Sequence, residues 1–232
     1  MAAGLAALLL SPLAFVPAAQ AEPLRVGLID STIYDDAIVA IVKEAGFEAE
    51  IIHETVDILR EQFVRGELDM DCCSIPEWRT RADEAEVQLF SDHFFVAADH
   101  LILGPNVKKP AEGAPLNLEG LRFAAVKGFN YTLDDQIRLR VPVDTIEDAF
   151  AALADGRADV TVFGVQEFFR MQAANRLPVV LGPVTQRYGL RIRVHKDHAD
   201  QLPQLNAAIA RMKSDGRIDA LIGTALRASK AH

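Results

Sequence analysis

The sequence has 232 residues, half of them hydrophobic and a quarter charged, which is enough apolar material for a buried core and excludes a disordered chain. Asp and Glu number 33 against 24 Lys and Arg, a net charge of −9, so the basic face of a nucleic-acid binder or a polybasic membrane protein is excluded. Two cysteines do not make a disulfide scaffold.

Met1 to Ala21 carries no charged side chain, and its apolar run from Leu5 to Val16 is too short to span a bilayer. Ala19-Gln20-Ala21, a small-x-small pattern, precedes Glu22-Pro23. The expectation is a signal peptide cleaved after Ala21 and a periplasmic protein starting at Glu22. No later segment has 18 consecutive apolar residues.

Leu24 to Ile29 is a short apolar run and predicts a buried strand. Asp35 to Ala45 repeats Ile38, Ile41, Val42 and Ala45 on one helical face, with Asp35 and Asp36 at its start and Gly46 at its stop. Glu48 to His53 predicts a strand; Val56, Leu59 and Phe63 predict a helix ending at Gly66; Asp69 to Ile75 predicts a third strand. Such alternation implies a parallel sheet covered by helices. Gly104 to Leu118, with Pro105, Pro110, Gly113 and Pro115, reads as a loop and a candidate crossing between two units.

The same pattern then returns. Leu121 to Val126 predicts a strand, Gly128 a loop with a helix starting at Leu133, and Ile146, Ala149, Phe150 and Leu153 a helix before Gly156. Asp159 to Phe163 predicts a strand and Val165 to Ala174 a helix. Pro178–Leu181 and Tyr188–Val194 read as two strands, and Leu202–Lys213 and Ile218–Arg227 as closing helices. Gly66-Glu67-Leu68-Asp69 and Gly156-Arg157-Ala158-Asp159 end a helix and start a strand at equivalent places in the two units.

Chemistry-bearing residues are few. Arg79 follows a strand end, where open α/β sheets bind ligands, and a guanidinium there can grip a carboxylate with two hydrogen bonds; Arg81 is a nearby surface alternative. Lys127-Gly128-Phe129-Asn130 is a turn whose backbone N–H groups could hold an anion. Cys72-Cys73 are adjacent, and two half-buried free thiols are expected, because a vicinal ring is strained. His195 and His198 fall in a strand-to-helix loop; no metal site is expected. No nucleophile or phosphate-loop motif occurs, and no cofactor is expected.

The order of these pieces resembles the family 3 solute-binding proteins of bacterial ABC importers, the polar amino acid-binding type. Phe63 to Asp69 is similar to that family's "L..G..D" segment, Ser74-Ile75-Pro76-Glu77-Trp78-Arg79 to its "S-I-T-x-x-R", and Phe90-Ser91-Asp92-His93-Phe94 to its "FS-x-P-Y". Asn117 to Arg122, Val126-Lys127-Gly128, Thr145 to Asp159, and Leu205-Asn206 through Gly216 continue the resemblance to the end of the chain. It implies an α/β, two-lobed (type II) periplasmic binding protein-like fold with a ligand cleft between the lobes. Lobe 1 would comprise residues 22–104 and 190–232, and lobe 2 residues 105–189.

The resemblance implies that Arg79 and Ser74 grip a ligand carboxylate, joined by Asn130 and the Gly128 turn. Tyr34 would cover the ligand, and Cys72 would stand where the family often has Ser. The family's ammonium-binding Asp falls at Gly164, five residues after Asp159, with Glu167 as the nearby acid. A carboxylate ligand that needs no α-ammonium is therefore expected. The implied function is capture of a small carboxylate-bearing solute, amino acid-like or an organic acid, by a monomer that hands it to an inner-membrane ABC permease. The alternatives are an accessory protein of a periplasmic redox enzyme, and a dehydratase-like enzyme using Glu77, Glu167 or Asp135.

Overall fold

The structure, a computed structural model, describes residues 22–29, 32–111 and 117–228; the expected signal peptide and part of the Pro-rich stretch lie outside them. The elements are β1 (Leu24–Leu28), α1 (Asp35–Glu44), β2 (Ala49–His53), α2 (Val56–Val64), β3 (Met70–Ser74), α3 (Ala82–Ala85), β4 (Gln88–Phe90) and β5 (Phe95–Leu103). Then follow β6 (Arg122–Val126), β7 (Leu139–Val143), α4 (Ile146–Ala154), β8 (Val160–Gly164), α5 (Val165–Asn175), β9 (Val180–His195), α6 (Leu202–Ser214) and α7 (Arg217–Ala228).

Strands run in the order β2-β1-β3-β9-β5-β8-β6-β7, with β4 also on β9. In the first unit β1 lies parallel between β2 and β3, and the end of β9 returns antiparallel to β3 and β4. In the second unit β6 lies parallel between β7 and β8. β1 is buried over four of its five residues, as the apolar run requires of a strand covered on both faces. Ala37, Ile38, Ile41 and Val42 of α1 pack with Leu205, Ile209, Met212 and Ile218 into the first core. Two further apolar clusters, one around Phe150 and Leu153 and one around Phe123 and Val160, fill the second unit.

The repeated Gly-x-x-Asp has one physical role in both units. Gly66 and Gly156 take φ of +70° and +71°, the left-handed turn that ends a helix. Asp69 then accepts from the Arg25 backbone N–H at 2.7 Å and pairs with its guanidinium. Asp159 does the same to Arg122, at 2.8 Å. Each Asp thereby fastens the strand after the helix to the first strand of its unit.

Three expectations are corrected. The connection between units is not the Pro-rich stretch, since Gly104 already hydrogen-bonds to Asp159 of the second unit. It is the antiparallel pair β5 and β9, which runs from Phe95↔Leu190 to Leu103↔Val180 with the register shifting on either side of His100. The two strands expected in 178–194 are the single strand β9. Its Gly182 and Gly189 read as breaks, but a Cβ there would sit 2.7 Å from the Leu101 carbonyl oxygen or the His93 side chain, so they permit close approach. Leu133 starts turns rather than a helix: Tyr131 turns back to accept at its Oη from the Val126 N–H, and Asp134 accepts from the Tyr131 N–H.

Candidate functional site

A cavity of about 110 Å³ lies where the two units face each other beside β5 and β9. The first unit contributes Tyr34, Cys72, Cys73, Trp78 and Arg79; the second contributes Phe129, Asn130, Gly164 and Glu167; β5 and β9 contribute Asp99 and Tyr188. Six of the eight residues picked from the sequence therefore meet in one cavity: Tyr34, Cys72, Arg79, Asn130, Gly164 and Glu167. Ser74 and Gly128 do not line it. Ser74 is fully buried, with no hydrogen-bond partner for its Oγ. Gly128 lies against the backbone of Val56 and Asp57 across the units.

Arg79 comes from the short 3-10 turn Pro76–Trp78 that follows β3. Its side chain is buried, donates to the Trp78 carbonyl at 3.3 Å, and leaves Nε without a partner. Among the described residues no carboxylate forms an ion pair with it; neighbouring Asp71 is committed to Arg193. Burial lowers the guanidinium to about 10, against the pull of Asp71. Arg81, by contrast, is exposed and satisfied by Glu61 and Asp83.

Two acids line the same cavity. Asp99 of β5 is the direct register partner of Gly164 on β8, so its carboxylate stands beside the position that has no side chain. Tyr188 Oη donates to it at 2.5 Å, yet burial outweighs that bond and raises Asp99 to about 6. Glu167, in the first turn of α5, is raised by burial despite its 2.7 Å pairing with Arg170, and its Oε1 has no hydrogen-bond partner. The hydroxyls of Tyr34 and Tyr188 are also pushed up, first by burial and then by these acids. Asp99 and Tyr188 were not singled out in the sequence; the available signal was a charged residue inside the apolar run of 95–103. Of the acids weighed for a dehydratase, only Glu167 lines the cavity, while Glu77 and Asp135 are exposed.

The expectation of two free thiols is overturned: Cys72 and Cys73 are joined by a disulfide. The peptide bond between them is cis, which brings their Cα atoms to 3.0 Å and closes the ring. The ring forms part of the cavity wall, next to Trp78, whose indole packs edge-on to Tyr188 at 4.6 Å.

No protein-family model and no curated protein matches the sequence. Solved structures do. A mutant of ArgBP from T. maritima is 24% identical, with a TM-score of 0.68 over 87% of this chain and 93% of that one. An amino acid ABC transporter substrate-binding protein from Streptococcus pneumoniae, bound to L-arginine, is 18% identical, with a TM-score of 0.71 over 89% and 95%. The GluR0 ligand-binding core from Nostoc punctiforme in complex with L-glutamate is 20% identical, with a TM-score of 0.68 over 86% and 97%. The fold is that of the two-lobed periplasmic binding proteins. These neighbours agree with the resemblance read from the sequence, and they are binding proteins rather than enzymes.

Proposed function

We propose that this chain is a periplasmic solute-binding protein of the family 3 type, not an enzyme, and that it captures a small carboxylate-bearing ligand for an ABC importer. The lobes would be residues 22–104 with 190–232, and residues 105–189, closing on the ligand as a monomer and presenting it to an inner-membrane permease. The carrying observation is Arg79: a buried guanidinium facing a cavity, with no carboxylate among the described residues forming an ion pair with it. Keeping such a cation out of water costs several kcal/mol unless an anion meets it.

Asp99 and Glu167 in the same cavity favour an amino acid-like ligand over a plain organic acid. In this reading Arg79 takes the carboxylate and Asp99, with Glu167, takes a positively charged group. Tyr34, Trp78 and Tyr188 would cover the ligand, Asn130 would add a polar contact from lobe 2, and the Cys72–Cys73 ring would form a wall. Ser74 and Gly128 would support the site from behind it.

Calorimetry with matched pairs, an α-amino acid and its des-amino acid, tests this. Arg79→Ala weakens binding roughly 30-fold or more, as expected for truncating one side of a closed-off charge pair. Arg79→Lys recovers part, since an ammonium lacks the planar fork. Equal affinity of wild type and Arg79→Ala for every carboxylate bound would refute the assignment.

A further inference from the structure

A second constellation of buried charge lies outside the cavity. Arg193, with no exposed surface, is held by Asp71 and, at 2.9 Å, by Glu84, while its guanidinium covers the Phe63 ring at 3.9 Å. Glu84, also fully buried, is gripped from its other side by Arg60, through Nε at 2.9 Å and Nη2 at 2.5 Å. All of these residues belong to the first lobe. The remaining nitrogen of Arg60, Nη1, leaves it: it donates to the Gly128 carbonyl at 2.7 Å and to Asn130 Oδ1 at 3.0 Å, both in the turn after β6.

Arg60 is therefore fixed on one side and bonded across the cleft on the other. Glu84 holds two of its three nitrogens, which removes the side-chain entropy that normally weakens a long-range arginine contact. Beside it the two lobes touch backbone to backbone, because a methyl group on Gly128 would sit 2.7 Å from the Asp57 nitrogen. The bond to the Gly128 turn exists only while the lobes are together. The pair with Glu84 is internal to lobe 1 and survives opening.

We propose that Arg60 sets how far the cleft favours its closed form, and through that the affinity for ligand, without touching the ligand. The proposal rests on the solute-binding reading, since apparent affinity scales with the fraction of molecules in the binding-competent form. A charge-assisted hydrogen bond lost on opening is large enough to change the ratio of closed to open molecules roughly tenfold or more.

The test needs no ligand. Small-angle scattering of the protein reads closure, and acrylamide quenching of Trp78, the only tryptophan and a residue of the cavity wall, reads access to the cleft. Arg60→Lys keeps a cation on Glu84 but cannot fork to the Gly128 turn; Gly128→Ala pushes the seam apart from the other lobe with Arg60 intact. Both variants are expected to enlarge the radius of gyration by on the order of 1 Å and to increase Trp78 quenching, with a cooperative melt retained. Unchanged scattering and quenching in both folded variants would overturn the proposal. So would an Arg60→Lys protein that only melts earlier, which would make the arginine a structural ion pair alone. Because neither readout involves a solute, failure here is distinct from failure of the ligand assignment.

Discussion

Asp99 offers a direct way to ask whether the cavity is built for a positive group. Its carboxyl is raised from 3.8 to about 6 because burial disfavours the charge, with Tyr188 as its hydrogen-bond donor. The folded chain thus holds this proton more tightly than the unfolded chain. The stabilisation from that proton is full below pH 3.8 and is lost as pH rises to about 6. At pH 7 the ionised carboxylate costs roughly 3 kcal/mol relative to its neutral form, and about 2 kcal/mol of that develops between pH 4 and pH 7. Asp99→Asn keeps an oxygen for the Tyr188 hydroxyl and removes the charge.

The measurement is denaturant unfolding of wild type and Asp99→Asn from pH 4 to pH 8. Taking the difference cancels every other titrating group and any fixed cost of fitting the amide. The variant should gain about 2 kcal/mol on wild type between pH 4 and pH 7, with the change finished near pH 7. A flat difference would show that Asp99 titrates like an exposed carboxylate, and the argument for a desolvated acid wall would fall. A gain, together with weaker binding of whichever amino acid the wild type takes in the calorimetric matched pairs, would mean that the acid is kept at the expense of stability because a ligand needs it.

Other outcomes follow from the same geometry. Binding of a ligand that places a cation on Asp99 should weaken about tenfold per pH unit below about pH 6, since the proton competes for the same carboxylate; pH-resolved calorimetry reads this. Thiol titration of unfolded, unreduced protein should find no free thiol, and two after reduction; two before reduction would restore the free-thiol expectation. Arg193→Met should cost about 3–5 kcal/mol by leaving Asp71 buried without its cation, and adding Asp71→Asn should recover much of it, as chemical denaturation would show.

The elements legible in the sequence were those whose pattern is local. α1, α2 and α4 carry apolar residues at helical spacing and stop at glycines with positive φ, and β1 and β8 are short apolar runs between turns. β5 is not legible because its apolar run is interrupted by Asp99 and His100, polar side chains that look like a surface until the cavity is known. β9 was split because Gly182 and Gly189 resemble turn residues when their neighbours in space are unknown. The Arg60–Glu84–Arg193–Asp71 network was invisible for a similar reason. Its members are spread over residues 60 to 193 and look individually like ordinary surface charges.

The same limit decides how the ligand is read. A position-by-position match asks what stands at 164, finds glycine, and concludes that the cleft has lost its acid. A sheet pairs residues across strands, and the partner of Gly164 is Asp99, 65 positions earlier in the chain. An aspartate at 164 would have set two like charges on directly paired positions of neighbouring strands, which is destabilising. The acid of this cavity thus sits on β5, across the ladder from the glycine of β8, and both line the cavity. Arg79 lines the same cavity from the first unit, so under the proposed function the carboxylate and the positive group would be held by different parts of the fold.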